Sequence, residues 1–388
     1  MMIFENTKVA FELKSNNELR KANAMFMAVD KNWLTDFGAW SMPWAIHIPG
    51  MKTLMKNTVF AHFCGGETRE ESMQTIDKLY SQNVKSILDY SVEGKEEEAE
   101  YERCFNEIML VIEDATENPK IPFAVFKPSG FGDMDIYEKV GAKESLTDSE
   151  QKQWANIQRR FDAVCKKAFE KDVTIMIDAE HSWMQDAVDD LVVELMRKYN
   201  QKRCVVVNTL QMYRHDRLAY LHQQFERAED ENYYIGFKVV RGAYMEIERE
   251  RAIEKGYESP IQPDKASTDN DYNAAIKFIL QKRDRISLFA GTHNELSCKL
   301  VMDELTHHGL EKDSHNIWFG QLLGMSDNIS FVLGKMGYNV AKYVPYGPVK
   351  DVMPYLIRRA QENTSVAGQS SRELNLIQKE LKRRKLDN

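Results

Sequence analysis

The stretch Tyr234-Ile-Gly-Phe-Lys-Val-Val240, followed at once by Arg241-Gly-Ala-Tyr244, decides the fold. It is rich in β-branched and aromatic residues and, interrupted only by Gly236 and Lys238, runs until Arg241 and Gly242 end it. Such a near-continuous run fits a strand of a parallel sheet buried on both faces. Val84–Tyr90, Phe123–Phe126, Thr174–Asp178 and Cys204–Asn208 precede it in the same style, and Ile286–Ala290, Asn316–Phe319 and Val340–Val344 follow. Each ends in polar residues and leads into a longer helical stretch. Eight β/α alternations predict an α/β fold of the (βα)8 TIM-barrel kind rather than an open doubly wound sheet. No GxGxxG follows any of these strands, and Gly130-Phe-Gly132 reads as a turn, so the Rossmann dinucleotide fingerprint is missing.

Working outward, residues 17–60 read as helical, with Leu19, Ala22, Met25, Phe26 and Val29 at helical spacing. Residues 1–83 are expected to form an N-terminal helical region, 84–369 the barrel, and 370–388 a basic C-terminal tail. The charged stretch Lys139–Lys171, with Trp154, Ile157, Phe161 and Val164 in helical register, predicts helices between the second and third strands. In the tail, Leu374, Ile377 and Leu381 recur among Arg372, Lys379, Lys382, Arg383, Arg384 and Lys385. That pattern suits a solvated helix or, as the rival reading, peripheral contact with an anionic membrane face.

The chain has 60 acidic against 52 basic residues, a net charge of -8, which argues against general nucleic-acid affinity. Its hydrophobic content of 43% and aromatic content of 10% are ample for a large core. The five cysteines, Cys64, Cys104, Cys165, Cys204 and Cys298, show no CxxC spacing and read as reduced thiols of a cytoplasmic protein. No zinc-type Cys/His cluster is present, so no metal site is expected. The first residues lack the basic and apolar regions of a signal peptide, and no apolar run nears the ~20 residues of a membrane span.

A TIM barrel carries its chemistry at the C-terminal ends of the strands. Read in order, those ends supply Lys127, Asp178, Gln211, the Lys238–Tyr244 segment, His293 with Asn294, Gln321 and Tyr343. Each has a plain structural alternative: Lys127 as a turn lysine, Asp178 and Glu180 as capping or ion-pairing residues, Gln211 and His293 as satisfied loop residues. Their shared position favours function. On an extended strand Lys238, Val240, Gly242 and Tyr244 share one face and Arg241 points oppositely. A cation, a glycine gap and an aromatic on one face suit a large planar ligand close to backbone. Finally, Tyr355-Leu-Ile-Arg358-Arg359-Ala-Gln-Glu362-Asn363 sets two guanidinium groups and a carboxylate on one broad helix face. Two forked cations suit a carboxylate ligand and the Glu suits its amine, as on a small amino acid. A solvated helix with a salt bridge is the alternative.

With these motifs in hand, the chain resembles the monofunctional proline dehydrogenases. The resemblance runs from about residue 84 to residue 366. It rests on Phe126-Lys-Pro-Ser129, Ile177-Asp-Ala-Glu180, Thr209-Leu-Gln-Met212, Lys238-Val-Val-Arg-Gly-Ala-Tyr244 and Thr292-His-Asn294. Phe319-Gly-Gln-Leu-Leu-Gly-Met325, Lys342-Tyr-Val-Pro345 and the Arg358-Arg359-x-x-Glu362-Asn363 motif complete it. It implies a distorted TIM-like barrel with the final helix over the active site. It also implies bound FAD without a Rossmann domain, and oxidation of L-proline to Δ1-pyrroline-5-carboxylate, the first step of proline catabolism. Hydride would pass to flavin N5, and electrons onward to a membrane quinone, ubiquinone or menaquinone. By the same resemblance Arg358, Arg359 and Lys127 grip the proline carboxylate. Glu362 and Tyr244 line the pocket, Leu322 and Tyr343 pack the ring, and Asp178 shapes the site. Gln211, Lys238, Val240, Gly242, Thr292, His293 and Asn294 fall where the family holds FAD, with Thr268 and Asp269, in the loop after strand five, as weaker matches. Two departures stand out: Lys238 where many relatives have Arg, and Pro128 directly after Lys127.

The chemistry agrees. Hydride removal next to nitrogen belongs to the flavin, and carboxylate clamps position the substrate. A cluster of cations lowers the amine's pKa and favours the neutral amine that the reaction needs. The rival substrate is hydroxyproline, against which Tyr343 is a steric argument. A rival of another class is a non-catalytic amino-acid-binding protein, which need not hold flavin.

Overall fold

The structure is a computed structural model that describes residues 2–29, 50, 53, 55–92, 97–356 and 369–386. Eight parallel strands follow one another round a closed barrel. They are β1 (Lys85–Tyr90), β2 (Phe123–Phe126), β3 (Thr174–Ile177), β4 (Val206–Gln211), β5 (Ile235–Val240), β6 (Ile286–Gly291), β7 (Ile317–Leu322) and β8 (Val340–Tyr346). Helices α1 (Thr7–Ala10), α2 (Asn16–Val29) and α3 (Arg69–Tyr80) precede the barrel, and α4 (Glu98–Glu117) links its first two strands. Between β2 and β6 lie α5 (Met134–Gly141), α6 (Asp148–Glu170), α7 (Ser182–Tyr199), α8 (Arg217–Asp230), α9 (Met245–Lys255) and α10 (Lys265–Gln281). Then come α11 (Glu295–His307), α12 (Asp327–Lys335) and, after β8, α13 (Gln369–Arg383). The chain divides into two compact units, Lys95–Gly320 and Met1–Gly94 with Gln321–Asn388.

In the unit Lys95–Gly320 the strand exits are level within three neighbouring pairs. Phe126 pairs with Ile177, Gln211 with Val240, and Gly291 with Gly320. Every residue of β2 and β4 is buried, as a strand covered on both faces demands. Most strands begin within a residue of where the sequence places them, and four of the eight end later. β4 runs to Gln211 rather than Asn208, β7 to Leu322 rather than Phe319, and β8 to Tyr346 rather than Val344. An apolar run stops at the first polar residue, whereas the hydrogen-bonded ladder continues into the polar residues at the barrel mouth. The inserted helices are α5 and α6. A reciprocal capping box between Thr147 and Glu150 starts α6, satisfying two otherwise orphaned donors. Its fully buried Arg160 donates to the Phe131 carbonyl at 2.8 Å and to Glu102 at 2.8 and 3.0 Å. The Phe126 and Phe131 rings stack at 4.4 Å beside it.

In the other unit β1 and β8 pair from Lys85 with Ala341 to Tyr90 with Tyr346. Outside the strands, α1 and α2 bury Ala10, Phe11, Leu19, Ala22 and Phe26 against Leu376, Ile377 and Leu381 of α13. Each large side chain so buried contributes about 1.5–3 kcal/mol. The tail's apolar stripe is therefore spent on the N-terminal helices. Lys379 reaches Glu5 at 3.4 Å, and Arg384 donates to the Phe11 and Lys14 carbonyls, each at 2.8 Å. This packing gives the apolar stripe a partner within the chain, while Lys379, Lys382 and Arg383 stay exposed. No helix among the described residues is long and apolar enough to cross a membrane.

Candidate active site

The sequence-predicted residues of the unit Lys95–Gly320 gather at the strand exits. Lys127 leaves β2 in extended conformation (φ -102°, ψ 133°), as the residue before a proline must, and Pro128 opens the 3-10 turn Pro128–Gly130. Pro128 thus holds Lys127 at the strand exit rather than displacing it. The turn is fastened from the segment after β3, where the buried Glu180 accepts from Ser129 N at 2.8 Å and from Ser129 Oγ at 2.7 Å. Glu180 does the structural work that its alternative reading assigned to it.

Asp178 continues the β3 ladder, its N donating to Phe126 O at 3.0 Å, and its Oδ1 accepts from Lys238 Nζ at 2.5 Å. Lys238 and Asp178 are 8% and 13% exposed, so this is an ion pair largely out of water. A pair in that setting persists only with good geometry, because the desolvation penalty rivals the attraction. Beside it Gln211 ends β4, buried, its Nε2 within 3.4 Å of Ala179 O and its Oε1 without a protein hydrogen bond. A buried unsatisfied carbonyl oxygen costs about 1–3 kcal/mol unless a ligand or water meets it.

Past Val240, the last residue of β5, Gly242 adopts φ +127°, and a Cβ there would lie 2.5 Å from the Tyr213 ring. Only glycine meets both demands. Tyr244 precedes α9, its ring 4.5 Å from that of His181, which stacks on Trp183 at 4.2 Å. The first turns of α9 return a buried carboxylate: Glu248 Oε1 accepts from Ser182 N at 2.6 Å, and burial pushes its pKa up.

Thr292 and His293 follow β6, and Asn294 caps α11, its Oδ1 accepting from Leu296 N at 2.9 Å and Ser297 N at 3.1 Å. Thr268 and Asp269 correct an expectation. They sit in the first turns of α10, started by an Asp264 cap, and not in a loop. The Thr268 hydroxyl bonds its own helix at Asp264 O, 3.3 Å away, while Asp269 is held by Arg241 at 2.7 Å and Lys265 at 2.5 Å.

In the other unit, Leu322 ends β7 and packs on a cluster that includes Phe60, Phe63, Met325 and Met353. Tyr343 lies buried in β8, paired in register with Ile87, and its carbonyl accepts from Leu323 N at 2.9 Å. Gln321 accepts from Ser330 Oγ at 2.9 Å. Arg358, Arg359 and Glu362 lie outside the described residues. Sequence reading named two further charges, Arg241 and Lys342, without giving either a role. Arg241 has three different acceptors, and Lys342 is fully buried on β8. Lys342 donates to Asp327 at 2.9 Å, to Met325 O at 2.6 Å and to Leu322 O at 3.1 Å. A lysine inside an apolar strand run was the available signal in that case. Among the described residues no cluster of His, Cys, Asp and Glu is arranged to hold a metal.

A closed parallel barrel with cations and amides at its strand exits defines a TIM-barrel enzyme of small-molecule chemistry. Comparison with known proteins narrows the class: residues 72–372 match the proline dehydrogenase family model, and the chain belongs to that family of oxidoreductases of proline catabolism. It is 36% identical over 322 residues to the carbapenem antibiotics biosynthesis protein CarD of Pectobacterium carotovorum subsp. carotovorum, with 83% of each chain covered. Proline dehydrogenase 2, mitochondrial, of Arabidopsis thaliana is 30% identical, covering 94% of this chain and 87% of its own. The human proline dehydrogenase 1, mitochondrial, is 40% identical over 242 residues, 62% of this chain and 40% of its own length. A solved structure of proline utilization A from Bdellovibrio bacteriovorus, inactivated by N-propargylglycine, superimposes with a TM-score of 0.74 at 20% identity. That superposition covers 94% of this chain and 38% of the other, and it speaks for the fold.

Proposed function

We propose that this chain binds FAD at the strand exits of β4 to β6 and oxidises L-proline to Δ1-pyrroline-5-carboxylate, passing electrons to a quinone. The observation that carries the reading is the Lys238–Asp178 pair at 2.5 Å, at the mouth of a barrel whose family is established. The cofactor fits the residues present. Gln211 offers a buried carbonyl oxygen without a protein partner, which suits a donor edge of a flavin ring. Gly242 leaves backbone bare where a side chain would strike Tyr213. Lys238 supplies a cation, and Val240, Thr292, His293 and Asn294 flank it on neighbouring strand ends. When bound, the flavin supplies the two-electron oxidising power that no side chain has.

The chain's own residues bind and orient. Asp178 holds the Lys238 ammonium in place, so that its charge faces one position rather than sweeping many. Lys127, extended ahead of Pro128, is the described candidate for the substrate carboxylate. Arg358 and Arg359 are proposed as its partners, Glu362 and Tyr244 as lining, and Leu322 and Tyr343 as the walls of the ring pocket. Positive charge around the substrate favours the neutral amine.

The test is an absorbance spectrum of the purified protein before and after anaerobic L-proline. Bound flavin that bleaches with proline supports the reading; folded protein that stays colourless after FAD addition ends it. Arg358→Met and Arg359→Met are each expected to lower kcat/KM for proline by roughly 2–5 kcal/mol in activation terms with FAD retained.

A further inference from the structure

Strand β5 ends in two cations of opposite orientation. Lys238 serves the pair with Asp178, while Arg241 turns to the neighbouring strand's exit. Its planar fork spends each nitrogen on a different acceptor: Nε on Asp269 Oδ1 at 2.7 Å, Nη1 on Thr292 Oγ1 at 2.9 Å, and Nη2 on Ser297 Oγ at 3.0 Å. The Tyr272 ring lies against the guanidinium, 4.4 Å from its carbon. The two hydroxyls stand at either end of one short turn. Thr292 Oγ1 also accepts from Asn294 N at 3.1 Å, and Ser297 N donates to Asn294 Oδ1 at 3.1 Å. One guanidinium therefore pins both ends of the segment that carries His293 and Asn294, and through Asp269 ties it to α10. A lysine has a single nitrogen and cannot grip two hydroxyls and a carboxylate in fixed directions.

We propose that Arg241 is a positioning residue: by fixing the Thr292–Ser297 turn it sets how tightly the flavin dinucleotide is held. The inference rests on the FAD reading above. Arg241 acts through the turn and needs no contact with the cofactor by its side chain.

The experiment compares the full-length wild type with Arg241→Lys, Thr292→Val and the double variant. FAD affinity is read by fluorescence titration of the apoprotein. Amide exchange of residues 294–297 and the apoprotein's Tm are read alongside. Loss of a charge-assisted bond that fixes the turn is expected to weaken FAD binding roughly ten- to hundred-fold in each single variant. The double variant should be little worse than either, because both cut one network. Exchange at Asn294 and Ser297 should speed up in the apoprotein. The visible circular dichroism of the flavin should shift at saturation, which a merely structural loss would leave unaltered. Should Arg241→Lys fail to fold, Thr292→Val still reports on the turn. If both singles bind FAD within twofold of wild type, or if the losses add fully, the proposal is overturned while the FAD reading stands. A wild type that binds no flavin overturns both.

Discussion

Two lysines on barrel strands each pair with an aspartate, and the two pairs have different work. Lys342 on β8 is wholly buried, and its ammonium is saturated by Asp327 and two backbone carbonyls. Lys14 approaches the same aspartate at 3.3 Å, and Glu373 of α13 accepts from Ser326 N next door. Charge there is locked into the core of the unit that joins the chain's two end segments. Lys238 on β5 instead keeps its pair with Asp178 at a strand exit, with 8% and 13% of the two side chains still exposed. The first arrangement fastens helices; the second is the one proposed above to hold a cation for the flavin. Chemically similar pairs thus differ in burial and in their place on the barrel.

The sharpest way to break this contrast is Lys342→Met. It takes from Asp327 its buried partner, leaving only the Lys14 contact at 3.3 Å, and is expected to cost roughly 3–5 kcal/mol, seen as a lower urea midpoint. A loss under about 1 kcal/mol would show that the buried pair is no lock. Next comes pH. Burial, followed by the neighbouring Asp327 charge, raises the Glu373 pKa from its ordinary 4.5 to about 7, although the Ser326 bond works the other way. A raised carboxyl pKa means that the folded protein favours the protonated form. Its stabilisation is complete below about pH 4.5 and is lost as pH rises through about 7. The difference across that window is on the order of 3 kcal/mol. Glu373→Gln should flatten this part of the stability profile, measured by Tm from pH 5 to 8. An unaltered slope would put the titration elsewhere.

At the other pair, Lys238→Met leaves the slightly more exposed Asp178 at a strand exit and should cost less stability than Lys342→Met, roughly 1–3 kcal/mol. It should lower kcat/KM for proline by roughly 2–4 kcal/mol in activation terms. A large stability loss with normal turnover would make Lys238 a second structural lock. The smallest effect is expected from Tyr343→Ser, read as the ratio of kcat/KM for L-proline and trans-4-hydroxy-L-proline. Proline turnover should fall by about 1–3 kcal/mol in activation terms while the hydroxylated ring loses less or gains. An unchanged ratio would remove Tyr343 from the ring pocket and with it the steric case against the rival substrate.

The same two regions show what a sequence discloses. The barrel was legible because strands buried on both faces leave long apolar runs, and β2 matches its run end to end. Candidate residues such as Asp178, Gln211 and Lys238 could be placed at strand ends, since strand ends are readable even when their partners are not. Partners were less so. Asp178 and Lys238 are sixty residues apart, and nothing local couples them. Lys342 was read only as part of a motif, because period-two reasoning cannot tell a lysine aimed at carbonyls from one aimed at water. The Asp264 cap hid in a polar stretch, so Thr268 and Asp269 looked like loop. The tail stripe was visible, but what would cover it was not. Leu376, Ile377 and Leu381 meet α1 and α2 from the far end of the chain.

That last contact has a consequence for how the molecule is made. The α1–α2 surface is translated long before its cover, α13. At about 5–20 residues per second, tens of seconds separate them on the ribosome. During that interval Phe11, Leu19 and Phe26 have no α13 to lie against, while the continuous stretch Lys95–Gly320 emerges with its partners close in sequence. Vectorial synthesis therefore makes the two units unequal: one has its partners within a single continuous stretch, and the other needs both of its segments before its core can form.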